Sequence, residues 1–170
     1  MKKTLSLLPA LFIIPFFVMS QEYEPPKDYV LKEKEDYTRY EKDIIGAAKW
    51  LQATAFNEQQ EKRKEVASFV VAWISGSPTV NVKLVPVLMD FEKRNSGMLV
   101  LFMASCAQYV LENNYSKDEM AEYTFGTKAM IAAYNAGHVQ NKDKKLEKIA
   151  KAAENGELNK WIEDNFKPGK

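Results

Sequence analysis

LVLFMASCAQYVL, residues 99–111, is apolar at most positions and holds the single cysteine of the 170-residue chain. Wound on a helix at about 100° per residue, it places Cys106 between Leu99, Phe102, Met103 and Val110. Ser105 and Gln108 fall away from that stripe. A helix this apolar belongs in a protein interior, so residues 97–112 are predicted to form a central helix.

That placement also limits what the thiol can do. In an apolar stripe cysteine behaves as a small hydrophobe with a raised pKa, whereas a nucleophile needs a base or a positive field to hold it as thiolate. The only histidine, His138, follows a helix end in NAGHVQN, where a positive charge suits the C-terminal dipole. Cys106 is therefore expected to be core packing, and no catalytic residue is assigned.

VASFVVAWI, residues 66–74, is a second segment apolar nearly all round. Asn57 with Gln60 has the spacing of a helix cap in front of it, and Gly76, Ser77 and Pro78 end it. TVNVKLV, residues 79–85, alternates Val80, Val82 and Leu84. One strand makes no sheet, so an extended connector across the helices is expected, pairing locally with residues near Val30.

Elsewhere the period is helical. Tyr37, Tyr40, Ile44, Ala47, Ala48, Leu51 and Ala55 form one stripe from Asp36 onward. Pro86 suits the first turn of a short helix through Phe91, and RNSG, residues 94–97, breaks the chain before the central helix. SKDE, Ser116 to Glu119, reads as a capping box opening a helix with Met120, Tyr123, Met130, Ile131 and Tyr134 on one face. Leu146, Ile149, Ala150 and Ala153 mark another helix; Leu158, Trp161 and Ile162 mark a last one beside Phe166. The fold class is all-α: an irregular bundle of about six or seven helices with one extended connector near residues 79–85.

Three domains of text divide the chain. Residues 1–20 carry Lys2 and Lys3, an apolar run from Leu5 to Val18, and small residues before Gln21, the order of a secretory signal peptide cut near Ser20. A retained anchor is disfavoured because the run falls short of the roughly 18 residues of a spanning helix and contains Pro9 and Pro15. Residues 21–35, with Pro25 and Pro26, form an extended arm, and residues 36–170 a single helical domain. The expected location is the periplasm or the exterior of a bacterium, with membrane contact only through the signal segment during export.

With Lys2 and Lys3 removed from 24 basic side chains, 22 stand against 23 acidic ones. Near-neutral charge gives no ground for a nucleic-acid partner. One cysteine allows no internal disulfide, and one histidine without H-E-x-x-H or C-x-x-C argues against a zinc site. No metal or cofactor is expected.

Among the carboxylates, Glu58 precedes Lys62 by four residues as a surface pair, and Glu112, at the end of the central helix, is the nearest candidate for an acid. Lys144, Lys148 and Lys151 lie opposite Leu146 and Ile149 as a solvated face. Trp50 and Phe125 depart from the apolar faces of their helices, so each is either covered by another segment or presented to a partner.

By elimination the sequence predicts a non-catalytic protein-interaction module, an envelope adaptor or an inhibitor or immunity-like protein, with Trp50 and Phe125 as candidate binding residues and another envelope or secreted protein as partner. The alternatives are a carrier holding a small apolar ligand among Phe69, Trp73, Phe102, Met103 and Met130, or a hydrolase.

Overall fold

The computed structural model describes residues 23–166. The signal segment, residues 1–20, lies outside them. Eight helices and no strand are present among the described residues. They are α1 (Lys34–Arg39), α2 (Glu41–Ala53), α3 (Gln60–Gly76), α4 (Pro86–Arg94), α5 (Met98–Glu112), α6 (Glu119–Asn135), α7 (Lys144–Glu154) and α8 (Leu158–Asn165).

The apolar stretch around Cys106 is the axis of the bundle. Every residue of α5 from Leu101 to Gln108 is buried, and the helix packs most extensively against α6 and α2, with α3 and α4 also in contact. Its two interior polar residues are satisfied along the α2 seam. Ser105 Oγ donates to the Leu101 carbonyl (2.7 Å), and Gln52 Nε2 donates to Ser105 Oγ (3.0 Å) and to Gln108 Oε1 (2.9 Å). The start of α5 turns on Gly97 (φ 97°), a backbone that residues with a β-carbon rarely adopt. There Glu92 of α4 caps the helix, its carboxylate accepting from the amides of Gly97 (3.0 Å) and Leu99 (2.9 Å).

On the other side α6 comes close because Gly126 has no side chain. A β-carbon there would lie 2.7 Å from Cys106 Sγ and 2.8 Å from the Phe102 ring. α3 is the second interior helix: Phe69, Val70 and Trp73 have no exposed surface, and the Trp73 indole donates to the Tyr37 carbonyl (2.9 Å). Burying a side chain of this size contributes roughly 3 kcal/mol.

Four boundaries depart from the sequence. The stripe from Tyr37 to Ala55 is two helices, because Tyr40 (φ −97°, ψ 7°) leaves helical geometry between α1 and α2 and its ring packs on Phe69, 6.0 Å between centroids. The Asn57–Gln60 cap does not form. Gln59, in left-handed geometry (φ 42°), precedes α3 without a side-chain cap. At α6 the cap is Asp118, which accepts from the Ala121 amide (3.0 Å), while Ser116 Oγ accepts from the Asp118 amide (3.2 Å). The arm ends at Glu33, since the Asp36 carboxylate accepts from the amides of Lys32 and Glu33 and starts α1 at Lys34.

That arm lies on the bundle. The Tyr29 ring stands 5.1 Å from Phe69, Tyr23 occupies the space that a side chain at Gly46 would take, and Glu24 pairs with Lys62 (2.6 Å). The far end of the chain closes the bundle the same way: Phe166, after α8, packs against Tyr123 (5.4 Å), Phe102 (5.7 Å) and Trp161 (5.8 Å).

Candidate functional site

The thiol sits where the apolar stripe places it. Cys106 is fully buried, its Sγ 3.6 Å from the Glu122 carbonyl. Burial, and then the charge of Glu122, push its pKa well above that of an ordinary cysteine. His138 belongs to a different corner. Its amide donates to the Ala133 carbonyl (3.0 Å) past the end of α6, and its own carbonyl accepts from the Phe56 amide (2.8 Å).

Glu112 is held as a surface anion. Partial burial raises its pKa, but the Lys49 ammonium at 2.8 Å and the Gln108 amide at 2.9 Å outweigh that and leave it below the usual carboxylate range. Lys144, Lys148 and Lys151 are exposed. Among the described residues no group of three histidine, cysteine or acidic side chains is placed to hold a metal ion.

Trp50 is covered. Only 6% of it is exposed, because the first turns of α3 lay Lys62 Nζ and the Arg63 guanidinium each 5.5 Å from its ring. Arg63 is itself buried between Trp50 and Phe56, donating to the Thr54 carbonyl (2.5 Å). As it stands, then, Trp50 offers a partner almost no surface. Phe125 is half-buried, its ring 5.7 Å from Tyr109. The two aromatics are not brought together. The five residues of the apolar interior, Phe69, Trp73, Phe102, Met103 and Met130, are buried, and none of them lines any of the four clefts described at the surface.

The feature that stands out is the connector between α3 and α4. Val80, Val82 and Val85 are buried and Asn81, Lys83 and Leu84 exposed, so the alternation shifts by one residue after Val82. Pro86 causes the shift. It is the first residue of α4, and Val85 before it, extended at φ −119° and ψ 151°, turns inward with Leu88. Leu84, expected on the Val80 and Val82 face, is thereby left 52% exposed. Among the described residues no backbone hydrogen bond joins this segment to the neighbourhood of Val30. The Lys83 amide faces the Tyr123 hydroxyl, while the amides of Asn81, Val82 and Leu84 have no partner among the described residues.

Residues of this segment line two clefts. Leu84, Val85, Pro86, Met89, Asp90 and Lys93 line one of about 520 Å³, with Met89 42% exposed beside Leu84. The other, about 230 Å³, is lined by Thr79, Asn81, Val110, Ser116, Lys117, Glu119 and Glu122. Of its lining residues, Glu119 pairs with Lys83, and Lys117 Nζ donates to the Thr79 carbonyl (3.2 Å).

Glu122 is 5% exposed, and its Oε1 is buried with no hydrogen-bond partner among the described residues. Burial, and then the charge of Glu119, push its carboxyl up to about 7 against the opposing pull of Lys83 and Lys117. Sequence reasoning passed over this carboxyl. The signal was its spacing: Glu122 lies four residues before Gly126 and eight before Met130, on the face of α6 that packs against α5.

No family model, no curated protein and no solved structure matches the chain. The site rests on geometry alone.

Proposed function

We propose that the protein is a non-catalytic protein-interaction module, exported from a bacterial cell by its N-terminal segment, that binds an extended segment of another envelope or secreted protein along the connector. One observation carries this reading: a stretch outside any helix, extended at Val85, in which the amides of Asn81, Val82 and Leu84 have no partner among the described residues, beside the exposed apolar side chains of Leu84 and Met89. An unpaired extended edge is a template for another chain, and backbone pairing with a side-chain pocket beside it is the usual form of strand addition.

The lining of the larger cleft narrows the partner's chemistry. Leu84, Pro86 and Met89 favour an aliphatic or aromatic side chain. Lys93 at the rim is exposed and has no ion-pair partner among the described residues, whereas Asp90 is taken by Lys145 (2.6 Å). An acidic residue next to the apolar one fits that rim. Export is supported by the charged, apolar and small-residue order of residues 1–20. No described helix is long and apolar enough to cross a membrane.

A photo-crosslinking residue in place of Met89, activated in the native cell envelope, tests this. The expected result is a discrete protein adduct that Leu84→Asp abolishes and that the same probe in place of Lys151, on the solvated face of α7, does not give. Absence of an adduct at position 89, or equal adducts at position 151, would overturn the reading.

A further inference from the structure

An ionised carboxylate withdrawn from water is satisfied only by donors, and Glu122 Oε1 has none among the described residues. The residue is only 5% exposed, yet it lines a cleft of about 230 Å³ together with Thr79, Asn81, Ser116 and Lys117. The neighbouring charges are already matched or engaged: Glu119 pairs with Lys83, and Lys117 donates to a backbone carbonyl. Lys117 is the one cation that lines the cleft, and its hydrogen bond goes to the Thr79 carbonyl, so among the described residues no N–H donor is bonded to the Glu122 carboxyl. An anionic ligand would meet a carboxyl there, and a large one would not fit.

We propose that this cleft binds a small primary ammonium group, its N–H donors directed to the Glu122 carboxylate and to the side-chain oxygens of Asn81 and Ser116. The ammonium can belong to a free amine or amino acid, or to the N-terminus of a peptide. For an amino acid, Lys117, which also lines the cleft, supplies the counter-charge to the carboxylate. The site is independent of the apolar cleft around Leu84 and stands whether or not a protein docks there.

Binding follows the charge of Glu122. The groups facing it are Glu119, Lys83, Lys117, Cys106 and Tyr123. Between pH 6 and 8 the thiol, raised well above the ordinary cysteine value, and Tyr123, pushed up to about 12, stay protonated. Glu122, at about 7, ionises across that interval, so an ammonium ligand binds more tightly as pH rises, by about tenfold between pH 6 and 8.

The test is titration of the ¹⁵N-labelled protein, followed by amide chemical shifts, with ethylamine, glycine, dialanine and, as blocked control, N-acetylethylamine. Expected are saturable shifts at Thr79, Asn81 and Ser116 to Glu122 with at least one free amine, weaker at pH 6 than at pH 8, and none with the blocked compound. Response to ethylamine and glycine points to free small amines; response to dialanine alone points to a peptide terminus. Glu122→Gln, of the same shape, is expected to weaken binding at least about tenfold. No saturable shift with any amine, equal shifts with N-acetylethylamine, or undiminished binding by Glu122→Gln would overturn the proposal. The comparison of free with blocked amine needs only the unsubstituted protein, so it decides even if the variant does not fold.

Discussion

Gly126 and Cys106 meet face to face across the α5–α6 seam, with 2.7 Å between the sulfur and the place where a β-carbon at 126 would stand. That separation is inside contact distance, and the Phe102 ring at 2.8 Å blocks the other way out. Gly126→Ala gains helix propensity of about 1 kcal/mol but overpacks the seam at a cost of about 1–3 kcal/mol or more. Net destabilisation of about 1–2 kcal/mol is expected in urea unfolding. Because the clash is shared with the sulfur, Cys106→Ala in the same chain should recover part of it, giving a coupling of about 1 kcal/mol between the two positions. Strictly additive effects would mean that the helices part as rigid bodies and the contact is not specific.

Burial of the thiol makes its reactivity a readout of unfolding. With no exposed surface and a pKa held well above the ordinary value by burial, Cys106 offers little thiolate to a reagent in the native state. Modification by a small aromatic disulfide should track global opening, slower than for the denatured chain by about 10³-fold or more. Rapid modification under native conditions would revive the hydrolase alternative, with Cys106 as its nucleophile.

Helical spacing carried most of the architecture, and the failures have local causes. The stripe around Cys106 and the apolar run before Gly76 were legible because a helix buried on several sides shows apolar residues at every turn. The break at Tyr40 was not, since its aromatic fits the stripe on either side and only tertiary contact with Phe69 turns the backbone. Trp50 read as an outlier because its cover, Lys62 and Arg63, comes from charged residues whose stems and guanidinium pack on rings. Glu122 was passed over although its spacing from Gly126 and Met130 puts it on the buried face of α6.

The connector divides energetically by residue. Val85 is 5% exposed and Leu84 52%. Val85→Ala should cost about 1–2 kcal/mol through lost burial beside Leu88. Leu84→Ala should lie within about 0.5 kcal/mol of the unsubstituted protein, as surface changes do. Thermal unfolding of the pair measures the contrast directly. A large loss at Leu84 would show it to be covered in solution, and would remove the exposed apolar edge on which partner binding rests.

Glu122 should make stability fall as pH rises, against the trend of two carboxylates elsewhere in the chain, on α1 and α4. Asp36, held down by the amides of Glu33 and Lys32, and Asp90, held down by Lys145, both favour the folded state more as they ionise. Glu122 is displaced the other way, from an ordinary 4.5 to about 7. Below about pH 4 it is protonated in both folded and unfolded chains and contributes no penalty. Between about 4.5 and 7 the unfolded chain releases the proton while the folded one retains it, so this group's contribution to stability declines through that window and levels off above it. The shift corresponds to about 3 kcal/mol at pH 8 relative to pH 4. Glu122→Gln removes the titration and keeps the shape, so its stability relative to the unsubstituted protein should rise by about 2–3 kcal/mol between those pH values, whatever constant offset the new amide introduces. Urea unfolding of both proteins at matched pH measures the difference, from which the other carboxylates cancel. A difference that does not change with pH would show that the carboxyl is solvated in the folded protein, and the cleft beside it would lose its chemical distinction.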